Sequence, residues 1–177
     1  AGQKSGVYWA LDPKTGKVVW QTQVGPGSPL GGIMWGTAVD GKRIYVAIGN
    51  SRHVPIAVNN PPNQTTTSGV WAAMDAATGK VLWRTADPQK AVDTAALSEA
   101  NGIVYAGSLA ANGDTMYALD ATTGEIKWHF TSGGSVVSGA AIVDGTVYWG
   151  SGYHTKGIGL TYDGRNQKLY AFAVPRP

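Results

Sequence analysis

Asp12-Pro13-Lys14-Thr15-Gly16-Lys17-Val18-Val19-Trp20 recurs without a gap as Asp75-Ala76-Ala77-Thr78-Gly79-Lys80-Val81-Leu82-Trp83. It recurs again as Asp120-Ala121-Thr122-Thr123-Gly124-Glu125-Ile126-Lys127-Trp128. The shared pattern is D-x-x-T-G-[KE]-x-x-W. Each copy follows an apolar, strand-like run: Val7 to Leu11, Val70 to Met74, and Met116 to Leu119. A fourth such run, Leu169-Tyr170-Ala171-Phe172, is not followed by the motif. Asp and Thr side chains bond turn backbone and Gly supplies positive φ, so each motif reads as a tight turn between two strands. The closing Trp is large and flat, and is expected to pack between neighbouring units.

A second set of runs lies between these. Ile44-Tyr45-Val46-Ala47, Ile103-Val104-Tyr105-Ala106 and Val147-Tyr148-Trp149-Gly150 each follow Asp40-Gly41, Asn101-Gly102 or Asp144-Gly145. Asn-Gly or Asp-Gly between apolar runs is a strong hairpin signal. No 3.6-residue apolar pattern is long enough for a helix. The fold class is therefore all-β. Asp75 and Asp120 are 45 residues apart, which is the length of a four-stranded propeller blade. Asp12 and Asp75 are 63 apart, and the excess is taken up by the Asn-, Pro- and Thr-rich stretch 50–68.

The expected architecture is a β-propeller of four-stranded antiparallel blades. With strands named A (inner) to D (outer), strands C and D fall within 6–23. A whole blade covers 33–85, with A at 33–39, B at 43–49, C at 69–75 and D at 79–85. A second covers 92–130, with A at 92–98. A partial blade covers 135–174, with A at 135–143. That is 13 strands, about 3.25 blades. Strand direction alternates, so the D-to-A and B-to-C connections share one face. The long connections 24–32, 50–68, 86–91, 131–134 and 152–167 all lie there, so a site is expected on that face, near the axis.

Composition excludes several classes. Of 177 residues, 43% are hydrophobic and the formal charge is only +3, so the chain is not disordered. Without cysteine it has no disulfide frame and no Cys-based metal site. No Lys/Arg cluster recommends a nucleic-acid partner, and no apolar run approaches the length of a membrane span. His53, His129 and His154 share no metal-ligand spacing, and His129 is expected at the surface. Asn63-Gln64-Thr65 is a glycosylation sequon in a polar loop. Gly31-Gly32-Ile33-Met34-Trp35-Gly36 enters an inner strand. Glycines beside an aromatic let a planar ligand approach backbone closely, and Trp35 is not one of the motif tryptophans.

These blades resemble the tryptophan-docking repeats of quinoprotein dehydrogenases, eight-bladed propellers that bind pyrroloquinoline quinone (PQQ), and in particular their polyvinyl-alcohol-dehydrogenase-like members. The resemblance rests on Gly2-Gln3-Lys4-Ser5-Gly6, the Gly31 to Gly36 segment, Arg43-Ile44-Tyr45-Val46, Thr65-Thr66-Thr67-Ser68-Gly69, Ser132-Gly133-Gly134-Ser135-Val136 and Tyr148-Trp149-Gly150-Ser151-Gly152-Tyr153. It implies that the chain is the C-terminal portion of an eight-bladed propeller; because an open arc of blades leaves unpaired edges, the chain is expected to be ordered only with its missing half or as an assembly that hides both ends. It implies Lys4 as the cation beside the quinone oxygens, and Gly32, Met34 and Trp35 as further cofactor neighbours. Met34 stands where some relatives have Asn. The catalytic carboxylate and the Ca²⁺ ligands are expected before Ala1, so no metal ligand is assigned in this segment. The implied activity is oxidation of an alcohol, polymeric in the extended case, in the periplasm or outside the cell, with a cytochrome c as electron acceptor. The alternative is a non-catalytic propeller that binds protein or polysaccharide, because the repeat alone does not require a cofactor.

Overall fold

The computed structural model describes residues 1–152, 156–157, 160–161 and 166–174. It contains strands and no helix among them. The strands are β1 (Val7–Leu11), β2 (Val18–Gln23), β3 (Ala38–Val39), β4 (Arg43–Ile48), β5 (Ile56–Val58), β6 (Gln64–Thr66), β7 (Val70–Asp75), β8 (Val81–Ala86) and β9 (Ser98–Ala100). They continue with β10 (Ile103–Gly107), β11 (Met116–Asp120), β12 (Ile126–Phe130), β13 (Ala141–Val143), β14 (Thr146–Ser151), β15 (Lys156–Gly157), β16 (Leu160–Thr161) and β17 (Lys168–Ala173). Two antiparallel four-stranded sheets, β3-β4-β7-β8 and β9-β10-β11-β12, are the two whole blades. They are flanked by a two-stranded sheet, β1-β2, and a three-stranded sheet, β13-β14-β17. The expected A-to-D order is therefore the observed order.

The repeat forms as its chemistry requires. Asp12 Oδ1 accepts the amide (2.7 Å) and the hydroxyl (2.8 Å) of Thr15, and Asp75 Oδ1 does the same for Thr78 (2.8 and 2.7 Å). In the third copy Asp120 accepts the amides of Thr122 and Thr123. Each motif strand pair carries a register shift just before its Asp, at Ala10/Leu11, Ala73/Met74 and Ala118/Leu119.

Blade-to-blade contact is made by the same motif. Trp20 Nε1 donates to the Ala76 carbonyl and Trp83 Nε1 to the Ala121 carbonyl, both at 3.2 Å. Two residues on, Thr22 donates to the Gly79 carbonyl (2.7 Å) and Thr85 to the Gly124 carbonyl (2.6 Å). The third seam differs. Phe130 stands at the Thr position, and Trp128, 37% exposed, stacks on it while Phe172 meets both rings edge-on. An aromatic cluster replaces the hydroxyl–carbonyl contact where the next blade has no D-x-x-T-G turn. Core side chains fill the spaces between sheets: Val46, Ile48, Val70 and Met74 in one, Tyr45, Trp71, Tyr117 and Leu119 in the next.

The inner strands are shorter than the sequence suggests. Strand A begins at 38 rather than 33, at 98 rather than 92, and at 141 rather than 135. Part of each expected strand spends its backbone on other partners. Ile33 N–H donates to the Gln3 carbonyl, Leu97 N–H to the Gly36 carbonyl, and Val136 N–H to the Ser108 carbonyl. These groups lie where blades converge, so they tie one blade to the next instead of extending a ladder. The stretch 50–68 is also not an irregular loop. β5 and β6 form a hairpin, and Asn59 and Asn60 bond the Arg84 carbonyl, covering the outer edge of β8. A covered edge no longer offers unpaired N–H and C=O groups to another chain.

Candidate functional site

The segment that enters β3 is held from both sides. Ser28 Oγ accepts the Gly31 amide (3.0 Å) and donates to its carbonyl (2.8 Å), shaping the turn at Gly31, whose φ is +132°. Gly32 N–H then donates to the Lys4 carbonyl (2.7 Å), and the Gly32 carbonyl accepts the Gly49 amide (2.8 Å). Gly32 is buried, and a Cβ there would lie 2.7 Å from Gly6 Cα and 2.8 Å from the Pro26 carbonyl oxygen. Only glycine lets these three backbones meet.

This packing brings the expected residues into one corner. A Cβ at Gly31 would meet Met34 Cγ at 2.5 Å and Lys4 Cγ at 3.3 Å, so both side chains flank the bare glycine. Lys4 is exposed and forms no ion pair among the described residues. Trp35 is 51% exposed, whereas the non-motif tryptophans Trp71 and Trp149 are fully buried and Trp9 is half-buried. Met34 packs with Leu30, Val92, Leu109 and Val137, a small apolar cluster drawn from several connections. Small residues surround the next turn of chain: ideal Cβ positions at Gly36 and Gly139 lie 3.5 and 3.3 Å from the Ala96 methyl. Two cavities lie elsewhere. One, of about 560 Å³, opens beside Trp128, Trp149 and Phe172, and the other, about 540 Å³, beside Asn60, Thr66 and Lys90.

Other candidates have structural work to do. His53, at φ +53°, places Nδ1 3.1 Å from the Thr67 carbonyl and ties the ends of its loop together. His129 is exposed on β12, with Nδ1 2.7 Å from Asp114 Oδ2, as expected of a surface residue. His154 and Tyr153 lie outside the described residues. Asn63 of the sequon stands exposed between β5 and β6, with φ +56°.

Three features of this face were not read from the sequence. Asn50 is fully buried, and its amide donates to the carbonyls of Val54, Thr67 and Ser68. It closes the base of the 50–68 excursion. Asp87 and Asp93 are buried together beneath the next connection. Burial pushes Asp87 above the ordinary carboxylate range despite the Ser108 hydroxyl it accepts. Burial and the neighbouring Asp87 raise Asp93 further. An Asp inside the otherwise apolar and small run 91–97 was the available signal. No group of three His, Asp or Glu among the described residues is arranged to hold a metal ion.

Comparison with known proteins places this geometry in context. The chain is 32% identical, in an alignment of 182 positions that covers 86% of it, to a polyvinylalcohol dehydrogenase of Sphingopyxis sp. (strain 113P3). It is 30% identical, in an alignment of 197 positions that covers 98% of it, to a polyvinylalcohol dehydrogenase of Pseudomonas sp.. It spans only 26% and 30% of those two proteins. Among solved structures, the quinohemoprotein alcohol dehydrogenase of Comamonas testosteroni superimposes with a TM-score of 0.61. That match has 20% identity over 82% of this chain and 26% of the other, a likeness of fold. The sequence pattern of the PQQ_2 family, described as outer membrane protein assembly factor BamB, runs from residue 3 to residue 171. With its motif-bearing blades, its antiparallel four-stranded sheets and a family match along nearly its whole length, the chain belongs to the PQQ_2 family of β-propellers.

Proposed function

We propose that this chain supplies one wall of the cofactor site in a PQQ-dependent alcohol dehydrogenase, periplasmic or secreted, whose substrate is an alcohol and in the extended case a polymeric one. The observation that carries this reading is the meeting of Lys4, Gly31, Gly32 and Met34 in one corner of the long-connection face, with the half-exposed Trp35 next in the chain. The polyvinylalcohol dehydrogenases at 32% and 30% identity support it.

The residues suit the group. A flat, anionic heteroaromatic needs an apolar plane, a cation and a thin backbone. Trp35 offers a half-exposed indole, Lys4 an ammonium free of ion pairs among the described residues, and Gly31 and Gly32 have no Cβ. When bound, PQQ accepts the hydride removed from the alcohol carbon. Lys4 would hold the anionic group and would stabilise negative charge developing on it. Trp35 covers the cofactor plane and excludes water from it. Met34 anchors the segment through Leu30 and Val92. On this reading the remaining blades, the carboxylate base and the Ca²⁺ ligands come from the rest of the protein, and a cytochrome c takes the electrons.

The test is calorimetric titration of the intact protein with PQQ in the presence of Ca²⁺. The expected result is binding that Lys4→Ala weakens at least tenfold and Trp35→Ala weakens as well. No binding by the intact protein sinks the reading. A second reading, a non-catalytic scaffold that binds protein or polysaccharide, draws on the family's description as a BamB assembly factor. It gains if PQQ binding is absent while a macromolecular ligand is retained.

A further inference from the structure

Beneath the connection from β8 to β9, two carboxyl groups are removed from water together. Asp87 is 2% exposed and Asp93 is fully buried. Both abut Gly69: the Asp87 amide donates to its carbonyl (3.2 Å), and Asp93 Oδ2 lies 2.7 Å from its Cβ position. Asp87 is well supplied with donors: the Ser108 hydroxyl reaches Oδ2 and the Gln89 amide reaches Oδ1, both at 2.6 Å. Asp93 is not. Neither of its oxygens meets a donor, and the adjacent Thr94 hydroxyl is also without a partner. No Lys, Arg or His forms an ion pair with either group among the described residues. The Tyr117 phenol, which burial keeps neutral, faces the pair with Asp114 beyond it, and the exposed Lys90 lines a cavity together with Asp87.

Two carboxylates in this place would be acceptors only, both charged, close together, and cut off from solvent. Such an arrangement is strongly unfavourable, and one proton resolves it by supplying the donor the cluster lacks. Gly69 packs tightly against Asp93. A Cβ on Gly69 would lie 2.7 Å from Asp93 Oδ2 and 2.4 Å from its amide nitrogen.

The pair sits at a junction. Gly69 N–H donates to the Ala91 carbonyl (2.7 Å), and Asp87 N–H donates to the Gly69 carbonyl (3.2 Å), so the connection is stitched to the start of β7 around the two acids. The residues on either side of Asp93 touch the candidate corner. Thr94 Cγ2 and Val92 Cγ1 lie 3.2 and 3.6 Å from the Cβ position of Gly49, which bonds Gly32 and abuts the Gly31 carbonyl. We propose that Asp87 and Asp93 share a single proton, and that this proton fastens the 86–94 connection against Gly49 and Gly31, positioning the Gly31 to Trp35 segment. The fastening stands on its own, and only its consequence for PQQ rests on the function proposed above.

The sign of the pH dependence follows from the sharing. The proton is bound more tightly in the folded protein than in the unfolded chain. The stability it contributes is therefore complete at acid pH, declines as pH rises above the ordinary carboxyl range, and is lost once the folded pair ionises.

The experiment is native-state amide exchange at Gly69 and Asp87 in the intact protein across the neutral and alkaline range, with Asp93→Asn beside it. The carboxamide keeps the shape and can donate to Asp87 without titrating. The expected result is protection that falls tenfold per pH unit in the wild type, after correction for intrinsic exchange, until the pair is ionised, and stays level in the variant. Infrared difference spectra of the two proteins at neutral pH should show the carbonyl stretch of a protonated carboxylic acid in the wild type alone. If Asp93→Asn does not fold, Asp87→Asn serves the same comparison. Parallel pH profiles, or no protonated-acid band, overturn the proposal. So does a wild-type protection that rises on adding Ca²⁺ and fails to rise in Asp93→Asn, because the pair would then hold a cation. PQQ titration of Asp93→Asn at alkaline pH separates the two claims. Level protection with unchanged PQQ affinity leaves the shared proton intact and removes its link to the cofactor site.

Discussion

Replacing Gly124 by Ala tests the mechanical reading of the repeat. Gly124 has φ +73°, and an added Cβ would stand 2.5 Å from Trp83 Cε3, 2.6 Å from Cδ2 and 2.7 Å from the Thr85 hydroxyl. Trp83 cannot easily retreat. It is 2% exposed, and its indole N–H is bonded to Ala121 one turn away. Two costs therefore add. A non-glycine residue in the left-handed region costs about 1–2 kcal/mol. Forcing extra volume into a packed seam costs about 1–3 kcal/mol more. Gly102 in the same blade is the internal control, because its φ is +79° and nothing lies within 4 Å of the corresponding Cβ. Gly102→Ala should lose about 1–2 kcal/mol, and Gly124→Ala about 2–5 kcal/mol, by urea unfolding of the intact protein followed by tryptophan fluorescence. The Gly124→Ala variant should also show altered Trp83 emission in the native baseline. If the two variants lose the same stability, the glycine serves only the turn, and the contact between motif glycine and motif tryptophan does not organise the seam.

Thr85→Val should cost about 1–3 kcal/mol, because it leaves the Gly124 carbonyl without the buried hydroxyl that reaches it at 2.6 Å; denaturant midpoints would measure this, and a neutral result would remove the hydroxyl from the seam. Burial works against ionisation of Asp40, yet the Lys42 amide, the Tyr45 hydroxyl and Arg43 hold its pKa down to about 2. The sign is that of a depressed carboxyl: its contribution is complete above the ordinary range and lost as pH falls from near 4 toward 2. The stability gap between wild type and Asp40→Asn should therefore close over that interval in acid titrations, and a gap independent of pH would refute it. Gly32→Ala should displace Gly6 or Pro26 backbone, which its Cβ would approach to 2.7–2.8 Å. It is expected to lower thermal stability and to weaken PQQ binding together, since the same backbone carries Lys4 and Trp35.

The parts of this protein that were legible in its sequence are those whose partners are near in the chain. The D-x-x-T-G turn is closed by Asp12 on Thr15 and by Asp75 on Thr78, three residues apart, so composition and spacing suffice to name it. Asn101-Gly102 and Asp144-Gly145 adopt positive φ, as hairpin turns of this kind demand. Strand order followed from alternation and from blade length. The candidate corner was legible in part for the same reason. Glycines bracketing Trp35 announce a tight backbone, although that Lys4 comes to lie beside them depends on a hydrogen bond spanning 28 residues.

What escaped the sequence has its partners in other blades. Strand A was drawn too long in three places because the amides of Ile33, Leu97 and Val136 look like strand groups until their acceptors on neighbouring units are seen. The β5–β6 hairpin was hidden in a run of Asn, Pro and Thr because its ordering comes from the edge of β8 and from Asn50 beneath it. Asp93 read as one acid among eleven, and its burial against Asp87 is a product of tertiary packing. The sequence by itself determined the blade, because a blade is made of short-range turns and alternating faces. Only the tertiary structure decided how blades meet, which glycines have no room for a methyl group, and which carboxyl lost its water, because each of these depends on atoms that a different blade brings within reach.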